Sequence, residues 1–325
     1  MSKFTIAAAG SAEQARSLLL GASPPNSSFT QTGNFSEEKI DRALRLGFRK
    51  PAWVWFASDD AGDVLGVVAG WGAATRETAG ILDFLDLPSD ARAAEALLDR
   101  AVADSREPGR STVEIIHFLP NESRLPDDTE LAALVDTLAA SRFRILVRRH
   151  RYRLPVLTAP ITIPETDLTF EPLKSEDDPR LPAILAEILV GSLDAHDAQA
   201  MTTGNLETVA RETAKEFLES DPWESFFLAV DPDGAIVGLV VGGLRGSPDI
   251  GVASFIGVSH LHRGHGYAAQ LLGWVTKEMI GKNAQFIIGE TDDDNFPMDA
   301  AFTRVGYPHT ESRIDFVRDI HSRRH

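Results

Sequence analysis

The sequence predicts an α+β protein built from two similar domains, and three observations carry that expectation. One order of elements (strand hairpin, third strand, helix, strand, helix, strand) is readable twice along the chain. Gly66 and Gly238 of the two hairpins lie 172 positions apart, and Phe143 and Tyr307 lie 164 apart, a nearly constant offset of the kind a duplication leaves. Between the copies, Pro155, Pro160 and Pro164 interrupt the chain with an extended stretch that cannot be helical. The boundary is therefore placed near Thr158, with residues 1–157 in the first domain and 158–325 in the second.

Each element has a local reason. Glu38–Leu46 has helical spacing. Trp53–Ser58 is an apolar strand, Asp59-Asp60-Ala61-Gly62-Asp63 a turn, and Val64–Trp71 the returning strand of a hairpin. The apolar run Ile81–Leu87 leads to a helix over Ala91–Ala103, a strand over Thr112–Phe118, a helix over Thr129–Ala140 and a strand over Phe143–Tyr152. The second copy begins with a strand at Leu168–Leu173 and helical patterns at Leu181–Leu189 and Leu206–Leu218. Phe226–Val230, the turn Asp231-Pro232-Asp233-Gly234 and Ile236–Gly242 repeat the hairpin. A strand at Val252–Val258, a helix at Gly266–Ile280, a strand at Phe286–Gly289, a helix at Met298–Val305 and a strand at Arg313–Val317 complete it.

Composition narrows the function. With 325 residues, 43% hydrophobic and 25% charged, the chain has the make-up of a folded protein with a real core, which excludes disorder as its main state. No stretch approaches the ~20 apolar residues of a membrane span, and Met1–Thr5 lacks a signal pattern. A net charge of −16 opposes binding to phosphate backbones or anionic lipid, so neither nucleic acid nor a membrane is an expected partner. Cysteine is absent, which removes disulfides, thiolate nucleophiles and cysteine zinc sites and fits a reducing cytoplasm.

The most informative segment runs from Ile256 to Ala268. An apolar strand enters a turn with two glycines, Gly264 and Gly266, and a long amphipathic helix follows. Glycines let the backbone approach a ligand closely, and the amides at a helix start are unsatisfied donors. With the positive end of the helix dipole they suit a pyrophosphate, and Arg263 adds a cation. An ordinary glycine-rich turn between strand and helix is the plainer reading of the two glycines alone. The matching turn of the first half, Asp86-Leu87-Pro88-Ser89-Asp90-Ala91-Arg92, has no glycine pair and places two carboxylates where the anion would sit. His260, His262 and His265 share one loop with no carboxylate at ligand spacing, so no metal is expected.

Arg263-Gly264-His265-Gly266-Tyr267-Ala268 fits the Arg/Gln-x-x-Gly-x-Gly/Ala signature, and Asn295-Phe296-Pro297-Met298, Ala301-Phe302 and Val305-Gly306-Tyr307 fit the second block, of the GNAT superfamily of N-acetyltransferases. The sequence resembles that superfamily over Leu168–Val317, and its first half does so by element order alone. The resemblance implies two GNAT-like domains, each a mixed, mostly antiparallel central sheet flanked by helices, in a tandem arrangement similar to that of mycothiol synthase. It implies acetyl-CoA as acyl donor and transfer to a primary amine of a small molecule by the C-terminal domain. It further implies that main-chain groups of Ile256 and Val258 hold the pantetheine, that amides of Arg263, Gly264, His265, Gly266, Tyr267 and Ala268 hold the pyrophosphate, and that Asn295, Met298 and Phe302 flank the cofactor arm. The N-terminal domain is then a degenerate copy. Asn295 also reads simply as a helix N-cap.

For the chemistry, the Val258 amide is placed to polarise the thioester carbonyl, and Glu290 or Asp292 to take a proton from the amine. Glu290-Thr291-Asp292-Asp293-Asp294 reads equally well as a solvated acidic loop. Many superfamily members carry a tyrosine acid four residues before the Gly-aromatic pair, where this chain has Phe302. Tyr307, Ser254 or Thr291 are substitutes, or the thiolate leaves unaided. Without the usual acid, a non-catalytic acyl-CoA-binding module is the competing reading. Asp194, His196 and Asp197 fall where the superfamily shapes its acceptor pocket. Arg149 and Arg151 share one strand face, read as an interdomain salt-bridge surface.

Overall fold

The computed structural model describes residues 3–22, 35–120, 129–202, 204–244 and 249–320. It forms two compact units, Met1–Arg148 with Glu311–His325, and Arg149–Thr310. Among the described residues, no helix is long and apolar enough to cross a membrane.

In the first unit the strands are β1 (Phe4–Ala8), β2 (Val54–Asp59), β3 (Val64–Trp71), β4 (Ile81–Asp86) and β5 (Thr112–Pro120), together with residues 311–319 of β12 (His309–Asp319). They lie in the order β1-β2-β3-β4-β5-β12, parallel only between β4 and β5. The helices are α1 (Ala12–Gly21), α2 (Glu37–Leu46), α3 (Ala91–Asp104) and α4 (Thr129–Ala140). Leu97, Leu98 and Ala101 of α3 and Leu131, Leu134 and Leu138 of α4 bury their apolar stripes with Trp55, Val68, Ile115 and Phe316 of the strands.

The second unit contains residues 149–155 of β6 (Arg144–Pro155), β7 (Thr169–Pro172), α5 (Arg180–Leu189), α6 (Ala195–Met201), α7 (Leu206–Ser220), β8 (Phe226–Val230), β9 (Ile236–Leu244), β10 (Ile250–Val258), α8 (Tyr267–Gly281), β11 (Phe286–Asp292) and α9 (Phe296–Val305). Its sheet order is β6-β11-β10-β9-β8-β7, parallel only between β10 and β11. Helix α8 packs Leu271, Leu272, Val275 and Met279 with Val240 and Ile287, while α5 and α7 pack Leu185, Ile188, Val209 and Ala214 with Leu239 and Val241. Leu239, Val240 and Val241 thus go to opposite faces in turn, as strand alternation requires.

These units differ from a division at Thr158, because the last strand of each half joins the other half's sheet. Residues 149–155 of β6 pair with β11, setting Arg149 opposite Asp292 and Arg151 opposite Glu290. Residues 311–319 of β12 pair with β5, and Ile314 and Phe316 enter the first unit's core. Cross-strand charge matching and apolar burial select these pairings. Arg149 and Arg151 therefore make ion pairs within the second unit's sheet, in place of the interdomain surface expected for them.

Candidate active site

The site begins where two parallel strands part. β10 and β11 pair only over Ile250–Val252 and Phe286–Ile288, although both continue for several residues. A bulge between Ala253 and Phe255 turns β10 out of register with β9 at the same level. Beyond it, Ser254–Val258 on one side and Glu290 and Thr291 on the other line a cavity of about 690 Å³. Ser259 donates its N–H to Val237 O on β9. Because main-chain groups alternate along a strand, those of Ile256 and Val258 face away from β9, toward the opening.

One end of the cavity is the glycine turn. Gly264 and Gly266 have φ of +84° and +76°, and both line the cavity. A Cβ on Gly264 would meet nothing within 4 Å, and one on Gly266 only Arg304 Nη1 at 4.0 Å, so the space over the turn is open. Gly266 is the N-cap of α8 and contributes no side-chain bond, which leaves the helix's first amides as donors. The equivalent helix of the first unit, α3, is closed by its own residue. Asp90 accepts from the amides of Arg92 and Ala93 at 2.9 and 3.1 Å.

The Arg263 guanidinium, expected as a cation at the turn, is bound to main-chain carbonyls. Its guanidinium donates to the carbonyls of Ile188, Val190 and Gly191 at 2.6, 2.9 and 2.7 Å, fastening the turn to the C-terminal end of α5. Burial holds its pKa below the usual guanidinium value. Ser259 Oγ on Glu187 Oε2 at 2.6 Å and His260 Nδ1 on Glu187 O at 2.9 Å add to the same clamp. The cation left at the turn is Arg304, on the last turn of α9 and lining the cavity. Sequence reasoning passed over it because it belongs to no motif; its spacing of two residues from Phe302 was the available signal. His262 also lines the cavity, with Nδ1 buried and without a hydrogen-bond partner among the described residues. His265 is exposed, with its ring 6.0 Å from that of Tyr267, which lines the cavity beside Ala268.

Helix α9 forms a second wall through Asn295, Met298 and Phe302. Asn295 does cap this helix, accepting the Met298 amide at 3.3 Å, so it is both N-cap and cavity wall. Phe302 stacks on Tyr152 and covers Gly289, where a Cβ would lie 2.7 Å from the ring. Tyr152 bonds Asp299 through its hydroxyl, and His150 Nδ1 lies 2.9 Å from the same carboxylate. Tyr307 is buried outside the cavity wall with its hydroxyl 2.7 Å from Thr276 Oγ1, and burial pushes the phenol above its ordinary range. That is a core position. The acid role suggested for Tyr307 finds no path to the cavity here.

The other end is set by α6 and the β6–β11 pair. Glu290 lines the cavity, with Oε1 3.3 Å from Arg151 Nε. Asp292 is only 2% exposed and sits behind the wall, taking the Ala195 amide at 2.7 Å and Arg149 Nε at 2.8 Å. Burial pushes its pKa up to about 6, against the pull of Arg149. Glu290, Thr291 and Asp292 are strand residues, so of the stretch read as a solvated acidic loop only Asp293 and Asp294 form a turn, with Asp294 exposed. Asp292 anchors α6 to β11, and of the two candidate bases only Glu290 faces the cavity. Among the described residues no three His, Asp or Glu side chains come together as a metal site.

Residues 194–307 match the model of the acetyltransferase (GNAT) family. Solved structures share the fold at low identity. A GCN5-related N-acetyltransferase from Sphaerobacter thermophilus is 16% identical with a TM-score of 0.58, covering 98% of this chain and 96% of that one. A tandem GNAT protein from the clavulanic acid biosynthesis pathway is 17% identical with a TM-score of 0.51, covering 98% of each.

Proposed function

We propose that this chain is a tandem-type GNAT acetyltransferase, a reading supported by the family match and the shared fold, and that it moves an acetyl group from acetyl-CoA to a primary amine of a small molecule, using the cavity of its C-terminal domain. The observation that carries the reading is the contrast between two helix starts. At α8 the amides are uncapped above an open turn, while at α3 Asp90 occupies them. A carboxylate in that place repels a pyrophosphate, so the N-terminal domain serves as scaffold.

The residues at the parted strands fit an acyl-CoA. Main-chain groups of Ile256 and Val258 hold the arm as an added strand would, and the amides from Arg263 to Ala268 hold the pyrophosphate with Arg304 beside them. When bound, the acyl-CoA supplies an activated thioester. The Val258 amide donates to its carbonyl oxygen as negative charge develops there, the larger part of the catalytic effect. Glu290 takes the proton of the attacking amine, directly or through water. No hydroxyl at position 302 is needed for departure of a thiol whose ordinary pKa is ~8.5.

Thiol release from acetyl-CoA, measured with the full chain against a panel of amines, tests this. Amine-dependent release that disappears in Gly266→Val supports it; release from no amine, with acetyl-CoA bound, overturns it.

A further inference from the structure

The carboxylates at the acceptor end of the cavity are unequally provided for. Asp194 caps α6 through the amides of His196 and Asp197 and receives Arg149 Nη2 at 2.6 Å. Asp292 receives Arg149 Nε and the Ala195 amide. Glu290 pairs with Arg151. Asp197 lines the same cavity, partly buried, and its carboxylate accepts the Ser192 hydroxyl at 2.6 Å. It makes no direct ion pair with any described residue, and His196 and Arg149, the latter divided between two other carboxylates, act on it only at longer range. Burial and the neighbouring charge of Asp194 raise its pKa.

A partly buried carboxylate without a direct ion pair is unfavourable, and a cationic ligand is what removes that penalty. The cation is not the nitrogen that is acetylated. An ion pair stabilises the ammonium form and raises its pKa, whereas attack on a thioester needs the neutral amine. Leu193 lines the same cavity at 52% exposure and offers apolar surface to a hydrocarbon spacer. Resting on the acetyl-transfer reading, we infer that Asp197 is a specificity-determining residue that holds a second ammonium group of the acceptor, so that the acceptor is a small diamine or another amine carrying an additional fixed cation.

The test is calorimetric titration of 1,4-diaminobutane, butylamine and 4-aminobutanoate into the full-length protein and Asp197→Asn. The variant keeps an oxygen to accept the Ser192 hydroxyl, and its thermal midpoint checks the fold. The diamine is expected to bind about tenfold tighter than the other two, and Asp197→Asn to lose about tenfold for the diamine alone, the size of a charged hydrogen bond. Affinity for CoA stays unchanged. The proposal is overturned if the diamine does not bind, if Asp197→Asn binds it as well as the parent, or if 4-aminobutanoate binds as tightly. Diamine binding that follows this pattern without acetylation refutes the transferase reading and leaves the assignment of Asp197 standing.

Discussion

Phe302 and Tyr152 stack face to face, with ring centroids 4.2 Å apart and planes 8° from parallel. The far edge of the Phe302 ring already abuts β11 at Gly289. A hydroxyl added there meets backbone before it meets the cavity. Phe302→Tyr is therefore expected to overpack the wall, lowering stability by ~1–3 kcal/mol without raising turnover. Chemical denaturation and thiol-release rates check this; a large gain in turnover would show that the missing acid limits the reaction.

Cofactor stoichiometry follows from the two helix starts. One CoA per chain is expected by calorimetry, because Asp90 occupies the amides of α3 and no side chain among the described residues caps those of α8. Gly266→Val should abolish that binding. Its φ of +76° is strained for a β-branched residue and the side chain would fill the open space above the turn. A stoichiometry near two would mean that the first unit has kept a working site.

The two arginines at the turn should behave differently. Arg304→Ala is expected to weaken CoA binding about tenfold, most at low salt, with little change in stability. Arg263→Ala removes the donor of three carbonyls at the end of α5 and should lower the thermal midpoint first. Equal loss of CoA affinity with unchanged stability in both variants would return Arg263 to the role of phosphate ligand.

Tyr307→Phe should leave acetyl transfer within about twofold. The hydroxyl it loses is bonded only to Thr276, which keeps Leu272 O as acceptor, so the stability loss is ~1 kcal/mol. An inactive but folded Tyr307→Phe that still binds CoA would make Tyr307 the acid after all.

Asp292 sets a pH dependence of stability. Its folded-state pKa of about 6 lies above the ordinary carboxyl value of 3.8, so between these the native state holds a proton that the unfolded chain has released. Stability of the parent relative to Asp292→Asn should therefore fall as pH rises across that interval and level off above it. Urea melts at several pH values measure this; a difference that grows with pH would contradict the assignment.

Local chemistry in the sequence determined both hairpins, the helix that follows the Gly264–Gly266 turn, and the uncapped start of that helix, because turn residues, periodicity and uncapped amides are properties of neighbouring residues. It could equally well be read from the sequence that a carboxylate caps the corresponding helix of the first half, since Asp90 stands at the helix start itself. Only the tertiary structure decided which strand joins which sheet, that Arg263 spends its guanidinium on α5 while Arg304 remains at the turn, that Asp292 is withdrawn behind Glu290, and that Tyr307 is core. Those outcomes depend on partners far away in the chain, where pairing energies between whole surfaces compete. A residue type and its immediate neighbours carry no record of that competition.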